Sequence, residues 1–280
     1  VQRETTFIHL TDLHVGTPDD DHLFSDTTET LREVLDLVAT VTPKPEFIIA
    51  SGDLTNRGDA ESFRMLKRII DEKIDVPVIY ALGNHDTRPG FYEGMEVETA
   101  DPDAPYDHDR IVGGIHIVTL DSSTPGLIGG TIDPEQFEWL ERTLDSHPDL
   151  PKLIVVHHPP ALGETPDVAH WRTIHFPQSQ RFSEMLKGRN IIGILSGHIH
   201  HDRVSVWHGI PVIVGAGQHA ATDILRTDIL RMVRGASFGI GTIRASGLTM
   251  AFVPLPSDRA ELNTYPLEML LERAVPVAAE

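Results

Sequence analysis

The sequence predicts an α/β fold in which helices cover β-sheets, and three observations predict it. Six short apolar runs, largely β-branched, read as buried strands. Runs of helical spacing fall between them, so strand and helix alternate through about residue 200. The chain has 280 residues and 40% hydrophobic content, enough for a sizeable core in one domain, or in one domain with a small appendage.

The strands expected are Phe7 to Thr11, Phe47 to Ser51, Val76 to Leu82, Ile115 to Asp121, Leu153 to Val156 and Ile191 to Leu195. The first helix follows from Leu31, Val34, Leu35 and Val38 at helical spacing after a Ser/Thr-rich start. The second follows from Phe63, Leu66, Ile69 and Ile70, with Asp59 as its cap. Asp133-Pro134-Glu135-Gln136 carries a capping Asp, Pro at the first helical position and Gln three residues on, and leads into a third helix through Phe137 and Leu140. A fourth is expected around Ser179 to Leu186. Segment 87 to 110, with Glu93, Glu96, Glu98, Asp101, Asp103, Asp107 and Asp109 among Pro and Gly, reads as a solvated acidic loop. Beyond residue 203 the chain turns β-like through Val204 to Trp207 and Val212 to Val214. The stretch 220 to 235 reads as helical and Gly239 to Val253 as a hairpin.

Composition excludes several functions. There is no cysteine, so disulfides, thiolate metal sites and cysteine nucleophiles are ruled out, and any metal must be held by His, Asp, Asn or Glu. A formal net charge of −19 opposes binding to long nucleic acids, which rests on Lys and Arg neutralising phosphates. No apolar run approaches the ~18 residues of a membrane span, and Val1-Gln2-Arg3-Glu4 has no basic flank leading into an apolar signal core. A cytoplasmic protein is expected. The absence of an initiator Met leaves a removed leader open.

The chemistry lies in five segments, each where an expected strand gives way to a turn: Asp12-Leu13-His14, Gly52-Asp53, Gly83-Asn84-His85-Asp86, His157-His158 and Gly197-His198-Ile199-His200. Residues two apart in an extended strand project to the same side, which places Asp12 with His14 at one spot and His198 with His200 at another. Mixed carboxylate and imidazole donors suit Mn, Fe, Zn, Co or Ni. Asp53, in a tight turn after an apolar strand, is the best candidate to bridge two ions. Paired cations polarise a phosphoryl oxygen and acidify a shared water, so phosphoryl transfer is the natural use.

In this order the motifs resemble the calcineurin-like metallophosphoesterase superfamily over residues 9 to 200. The resemblance implies a four-layer αββα sandwich of two mixed β-sheets flanked by helices, with the site at the strand ends. It places the core domain in residues 1–215 and a C-terminal extension or cap in 216–280, the latter either separate or part of the same domain. It implies two divalent metals, Mn or Fe foremost. One would be held by Asp12, His14, Asp53 and His200, the other by Asp53, Asn84, His157 and His198. His85 would lie over the substrate as the catalytic residue.

Val155-Val156-His157-His158-Pro159-Pro160 and the overall length are most similar to class III cyclic nucleotide phosphodiesterases and the related glycerophosphodiesterases. That likeness assigns the ligand to His157, leaves His158 in support, and makes Asp121-Ser122-Ser123 with Gly126 structural. The implied reaction is in-line attack of a metal-bridging hydroxide on a small phosphodiester, a cyclic nucleotide such as 3′,5′-cyclic AMP, and the implied assembly is a homodimer. Asn56 and His219 are the candidate substrate contacts, with Arg57, Gln218 and Asp223 also considered for the pocket rim. Phosphomonoesterase and glycerophosphodiesterase activities stay open, as does a non-catalytic scaffold that keeps the fold.

Overall fold

A computed structural model of the protein describes residues 4–16, 20, 23–166, 170–226 and 228–271. The first half runs β1 (Thr5–Leu10), α1 (Thr27–Val38), β2 (Phe47–Ser51), α2 (Ala60–Lys73), β3 (Val78–Ala81), α3 (Arg88–Gly94), β4 (His108–Val112), β5 (Ile115–Leu120) and α4 (Pro134–Ser146). It continues with β6 (Lys152–Val156), a 3-10 turn at His170–Arg172, α5 (Phe176–Leu186), β7 (Ile191–Ser196), β8 (Arg203–Trp207) and β9 (Ile210–Val214). The C-terminal part adds β10 (Ala221–Thr222), β11 (Leu230–Val233), β12 (Ser237–Arg244), β13 (Gly247–Pro254), β14 (Glu261–Tyr265) and α6 (Leu267–Leu271).

Two large mixed sheets carry the molecule. One has the order β13-β12-β1-β2-β3 and the other β4-β5-β6-β7-β9-β8, while β10-β11-β14 form a small third sheet. Strands β1, β2 and β3 are parallel, as are β5, β6, β7 and β9, so in each sheet several strands end on the same edge. Phe7, Phe47, Ile49, Leu153, Val155 and Leu195 fill the space between the large sheets. Phe7 and Phe47 stack there with ring centroids 5.2 Å apart, and burying each Phe contributes about 1.5–3 kcal/mol.

The outer faces are covered by helices. Leu31, Val34, Leu35, Phe63 and Leu66 bring α1 and α2 onto the first sheet; Phe137, Leu140, Phe182 and Leu186 bring α4 and α5 onto the second. The four layers follow from these three apolar clusters. The caps lie where the sequence places them. Asp59 accepts the Ser62 N–H at 2.9 Å, and the Asp133 N–H donates to Gln136 Oε1 at 2.9 Å. Among the described residues no helix is long and apolar enough to cross a membrane.

Two expectations are overturned. Segment 87 to 110 is not simply a solvated loop, because it contains α3 and β4, and Asp107 accepts the Asp121 N–H at 2.8 Å and two bonds from Gln136 Nε2. Stretch 220 to 235 is not helical. Its buried Asp223 takes Arg231 at 2.9 Å and Arg259 at 3.0 Å, while its N–H donates to the Arg231 carbonyl, and these bonds fold β10 back onto β11. The expected hairpin is present as β12 and β13, and β12 pairs antiparallel with β1, setting Ile240 opposite Ile8. Residues 272–280 of the C-terminal segment lie outside the described residues.

Candidate metal centre

The candidate donors all follow strand ends. Asp12 and His14 follow β1, Asp53 follows β2, Asn84 and His85 follow β3, His157 follows β6, and His198 and His200 follow β7. They are not arranged by strand alternation, and here the expectation is corrected. Asp12, His14, Asp53, His198 and His200 all have left-handed backbone, with φ of 48°, 44°, 48°, 75° and 51°. Such conformations cost of order 1–3 kcal/mol each and persist only where the surroundings impose them. His198 and His200 consequently diverge, one toward each half of the centre.

Glycines let these turns close. Gly52 has φ of 104°, and a Cβ there would stand 2.5 Å from His157 Nδ1. A Cβ on Gly83 would stand 2.2 Å from Asp53 Oδ1. Both positions therefore require the residue without a side chain.

Asp12, His14, Asp53 and His200 bring one donor atom each to within 4.8 Å of one another. The Asp53 carboxylate lies between this group and the next: its Oδ2 is 3.6 Å from His14 Nε2 and 3.3 Å from His157 Nε2, while Oδ1 accepts the His85 N–H at 2.8 Å. Asp12 Oδ1 is 3.3 Å from His200 Nε2. Backbone carbonyls choose the tautomers, since a carbonyl can only accept. His157 Nδ1 donates to Ser51, His200 Nδ1 to Ala220 and His198 Nε2 to Trp171, at 2.9, 2.9 and 2.7 Å.

In a neutral ring with that tautomer, the opposite nitrogens of His157 and His200 turn lone pairs toward carboxylate oxygens. Such pairs repel unless a proton or a cation lies between them. Among the described residues neither ring nitrogen of His14 has a hydrogen-bond partner, nor does the buried Asn84 Oδ1. Asp12 and Asp53 are buried, and among the described residues their ion pairs are to histidines. Burial raises Asp12 against the pull of His200 and His157. Burial also opposes ionisation of Asp53, but the His157 and His85 charges outweigh it and hold the carboxyl well below its ordinary range. Burial lowers His157, yet Asp53 and Asp12 together push it up to about 9. Buried carboxylates facing imidazoles, with Asp53 and Asp12 favouring a positive charge at His157, fit divalent cations of intermediate softness that would take the place of the proton.

His158 has both nitrogens engaged: Nε2 donates to the Ile128 carbonyl at 2.9 Å and Nδ1 accepts from Ser122 Oγ at 2.8 Å. Although it lies near His157 and His198, no donor atom of its ring is left over. Asp86 is a residue to which the sequence reading gave no role. Its carboxylate accepts N–H bonds from Leu54, Thr55 and Gly83, each at 3.0 Å, and so ties the Asn84 turn to the Asp53 turn. The fourth position of Gly-Asn-His-Asp was the available signal.

His85 is exposed and stands edge-on to His14 with ring centroids 4.6 Å apart. Its Nδ1 donates to the Asn56 carbonyl at 3.2 Å, which turns the other nitrogen away from Asn56. A cleft of about 940 Å³ opens above the centre and is lined by His85, Asn56, Arg57 and His219 among others. His219 packs against His14 at 4.6 Å and Phe24 at 5.1 Å. Gln218 and Asp223 do not line the cleft: Gln218 is buried behind Asp12, and Asp223 is held by Arg231 and Arg259.

Comparison with known proteins bears on this arrangement. The family model for calcineurin-like phosphoesterases matches residues 5–202. A probable cyclic nucleotide phosphodiesterase of Rhodococcus erythropolis is 32% identical over 220 residues, covering 78% of this chain and 72% of that protein. A cAMP/cGMP dual specificity phosphodiesterase of Mycobacterium tuberculosis is 27% identical over 223 residues, with 78% and 68% covered. A probable glycerophosphodiester phosphodiesterase of Arcobacter nitrofigilis is 31% identical over 193 residues, with 66% and 68% covered. In fold, the chain superposes on a purple acid phosphatase from yellow lupin with a TM-score of 0.63 at 14% identity, over 100% of this chain and 57% of that one.

Proposed function

This chain belongs to the calcineurin-like phosphoesterase family, and from that premise we propose a metal-dependent phosphoric diester hydrolase acting on small phosphodiesters, with cyclic nucleotides such as 3′,5′-cyclic AMP as the natural class. The observation that carries the proposal is Asp53 Oδ2 between His14 and His157, with carbonyl-oriented histidines around it. In this reading Asp12, His14, Asp53 and His200 hold one divalent ion, and Asp53, Asn84, His157 and His198 hold the second. Bound there, Mn or Fe would supply positive charge for the phosphoryl oxygens and acidify water, and Zn, Co and Ni suit the same donors.

The chain's own groups supply the rest. The Asp53 Oδ1 bond to the His85 N–H fixes the His85 backbone beside the bridging carboxylate, and the Asn56 carbonyl fixes its ring. In this reading His85 would carry a proton on its other ring nitrogen and deliver it to the leaving oxygen, a role suited to imidazole near neutral pH. Asn56 and His219 would orient the ester from either side. The glycerophosphodiesterase relative supports a second reading in which the diester is a glycerol ester.

Rates on bis(p-nitrophenyl) phosphate and p-nitrophenyl phosphate, measured with Mn, Fe and Zn, test the proposal. Faster turnover of the diester is expected. Preference for the monoester would move the assignment to a phosphomonoesterase.

A further inference from the structure

The cleft is two-sided in chemistry. Its floor is the His and Asp cluster. An apolar wall of its lining comes from the C-terminal part of the chain and from the 3-10 turn: Leu230 and Met232 on β11, Tyr265 at the end of β14, Met269 on α6, and Trp171. Trp171 joins the halves, since its carbonyl orients His198 while the residue also lines the cleft. Met269 also lines the cleft and is 58% exposed, so its side chain is open to a ligand there.

The arginines on this cleft are already committed. Arg57 pairs with Asp20, Arg88 donates to Asp121 and to the carbonyls of Asp103 and Ser123, and no lysine lines the cleft among the described residues. A volume of about 940 Å³ also lies near the upper end of small-molecule sites, which run to about 1,000 Å³. We infer that the wall of Leu230, Met232, Tyr265, Met269 and Trp171 binds an uncharged apolar alcohol, so that beside cyclic nucleotides, whose two ester oxygens share one ribose, the site takes acyclic diesters and prefers those with a bulky alkyl or aryl ester group. The inference rests on the diesterase reading and specifies which diesters that site favours.

A series of alkyl p-nitrophenyl phosphates from methyl to octyl tests it. In each, a water oxygen bonds to phosphorus, the P–O bond to p-nitrophenolate breaks, and the alkyl ester stays on phosphorus. The kcat/KM should rise with chain length, by up to about four-fold per methylene that the wall buries, mainly through KM. The choline ester, with a charged alcohol of similar bulk, should fall below the octyl ester. Met232→Ser and Met269→Ser should each lower the octyl-to-methyl ratio; because Met269 is exposed, its replacement leaves the core undisturbed. Emission from Trp171 should respond to octyl phosphate and not to methyl phosphate. A flat or falling series on an enzyme that still cleaves the methyl ester overturns the inference and leaves the diesterase reading standing, whereas failure to cleave any member removes that reading and the inference together.

Discussion

Asp53 divides its work between two oxygens. One accepts the His85 N–H and the other faces histidines on both sides, so the residue at the middle of the cluster also sets the position of His85. In the proposed reaction His85→Ala should lower kcat by about 10²- to 10⁴-fold, the usual contribution of a general acid. Metal content, read by elemental analysis, should hardly change, because the ring is bonded to Asn56 and not to the donors. Equal kcat in the variant would remove His85 from the chemistry. The donor types were legible in the sequence because carboxylate, amide and imidazole side chains recur after strands at Asp12, Asp53, Asn84, His157 and His198. Their backbone was not. Nothing in the identity of an Asp or a His announces a left-handed φ, and the extended-strand argument for His198 and His200 failed on that account. The choice of His157 over His158 came from the family likeness and not from the residues themselves, since physically it turns on which carbonyls and hydroxyls each ring meets.

Elements with apolar periodicity were read well, as α1, α2 and α4 illustrate, because one buried stripe and one capping Asp suffice to define each. Segment 87 to 110 was misread because its acids suggested solvent, although Asp107 is drawn inward to hold β5 and α4 together. Burial pushes the Asp107 carboxyl up to about 7 against the bonds from Asp121 and Gln136. A carboxyl whose pKa is higher in the fold than in the unfolded chain contributes stability that is full below about pH 4 and lost as pH rises through 7. Between pH 5 and 8 the wild type should therefore lose stability relative to Asp107→Asn, measured as denaturant midpoints at several pH values. Parallel profiles would show that the carboxyl is ionised in the fold. In stretch 220 to 235, Ala, Leu and Arg favoured a helix locally, and the bonds from Arg231 and Arg259 to Asp223 decided otherwise through tertiary contact.

The whole molecule carries a formal charge of −19, and the carboxylates of Asp12 and Asp53 are buried in the candidate metal centre. Divalent ions there would offset that charge locally, while surface acids are screened over about 8 Å. Stripping the ions with a chelator should lower the melting temperature. At an ion concentration of 100 times the dissociation constant, each site adds about 2.7 kcal/mol to stability. Calorimetry with and without chelator checks this, and identical melting curves would argue that no ion is bound.

Sequence gave the alternation of strands and helices but not their order in the sheets, which depends on pairings between distant segments. The pairing of β12 with β1 is the clearest case. Its consequence appears during synthesis. A growing chain has exposed every candidate ligand once His200 leaves the ribosome, yet the open flank of β1, whose end carries Asp12, stays uncapped until Ser237–Arg244 emerges. Until then the half-made sheet offers an unpaired edge to neighbouring chains.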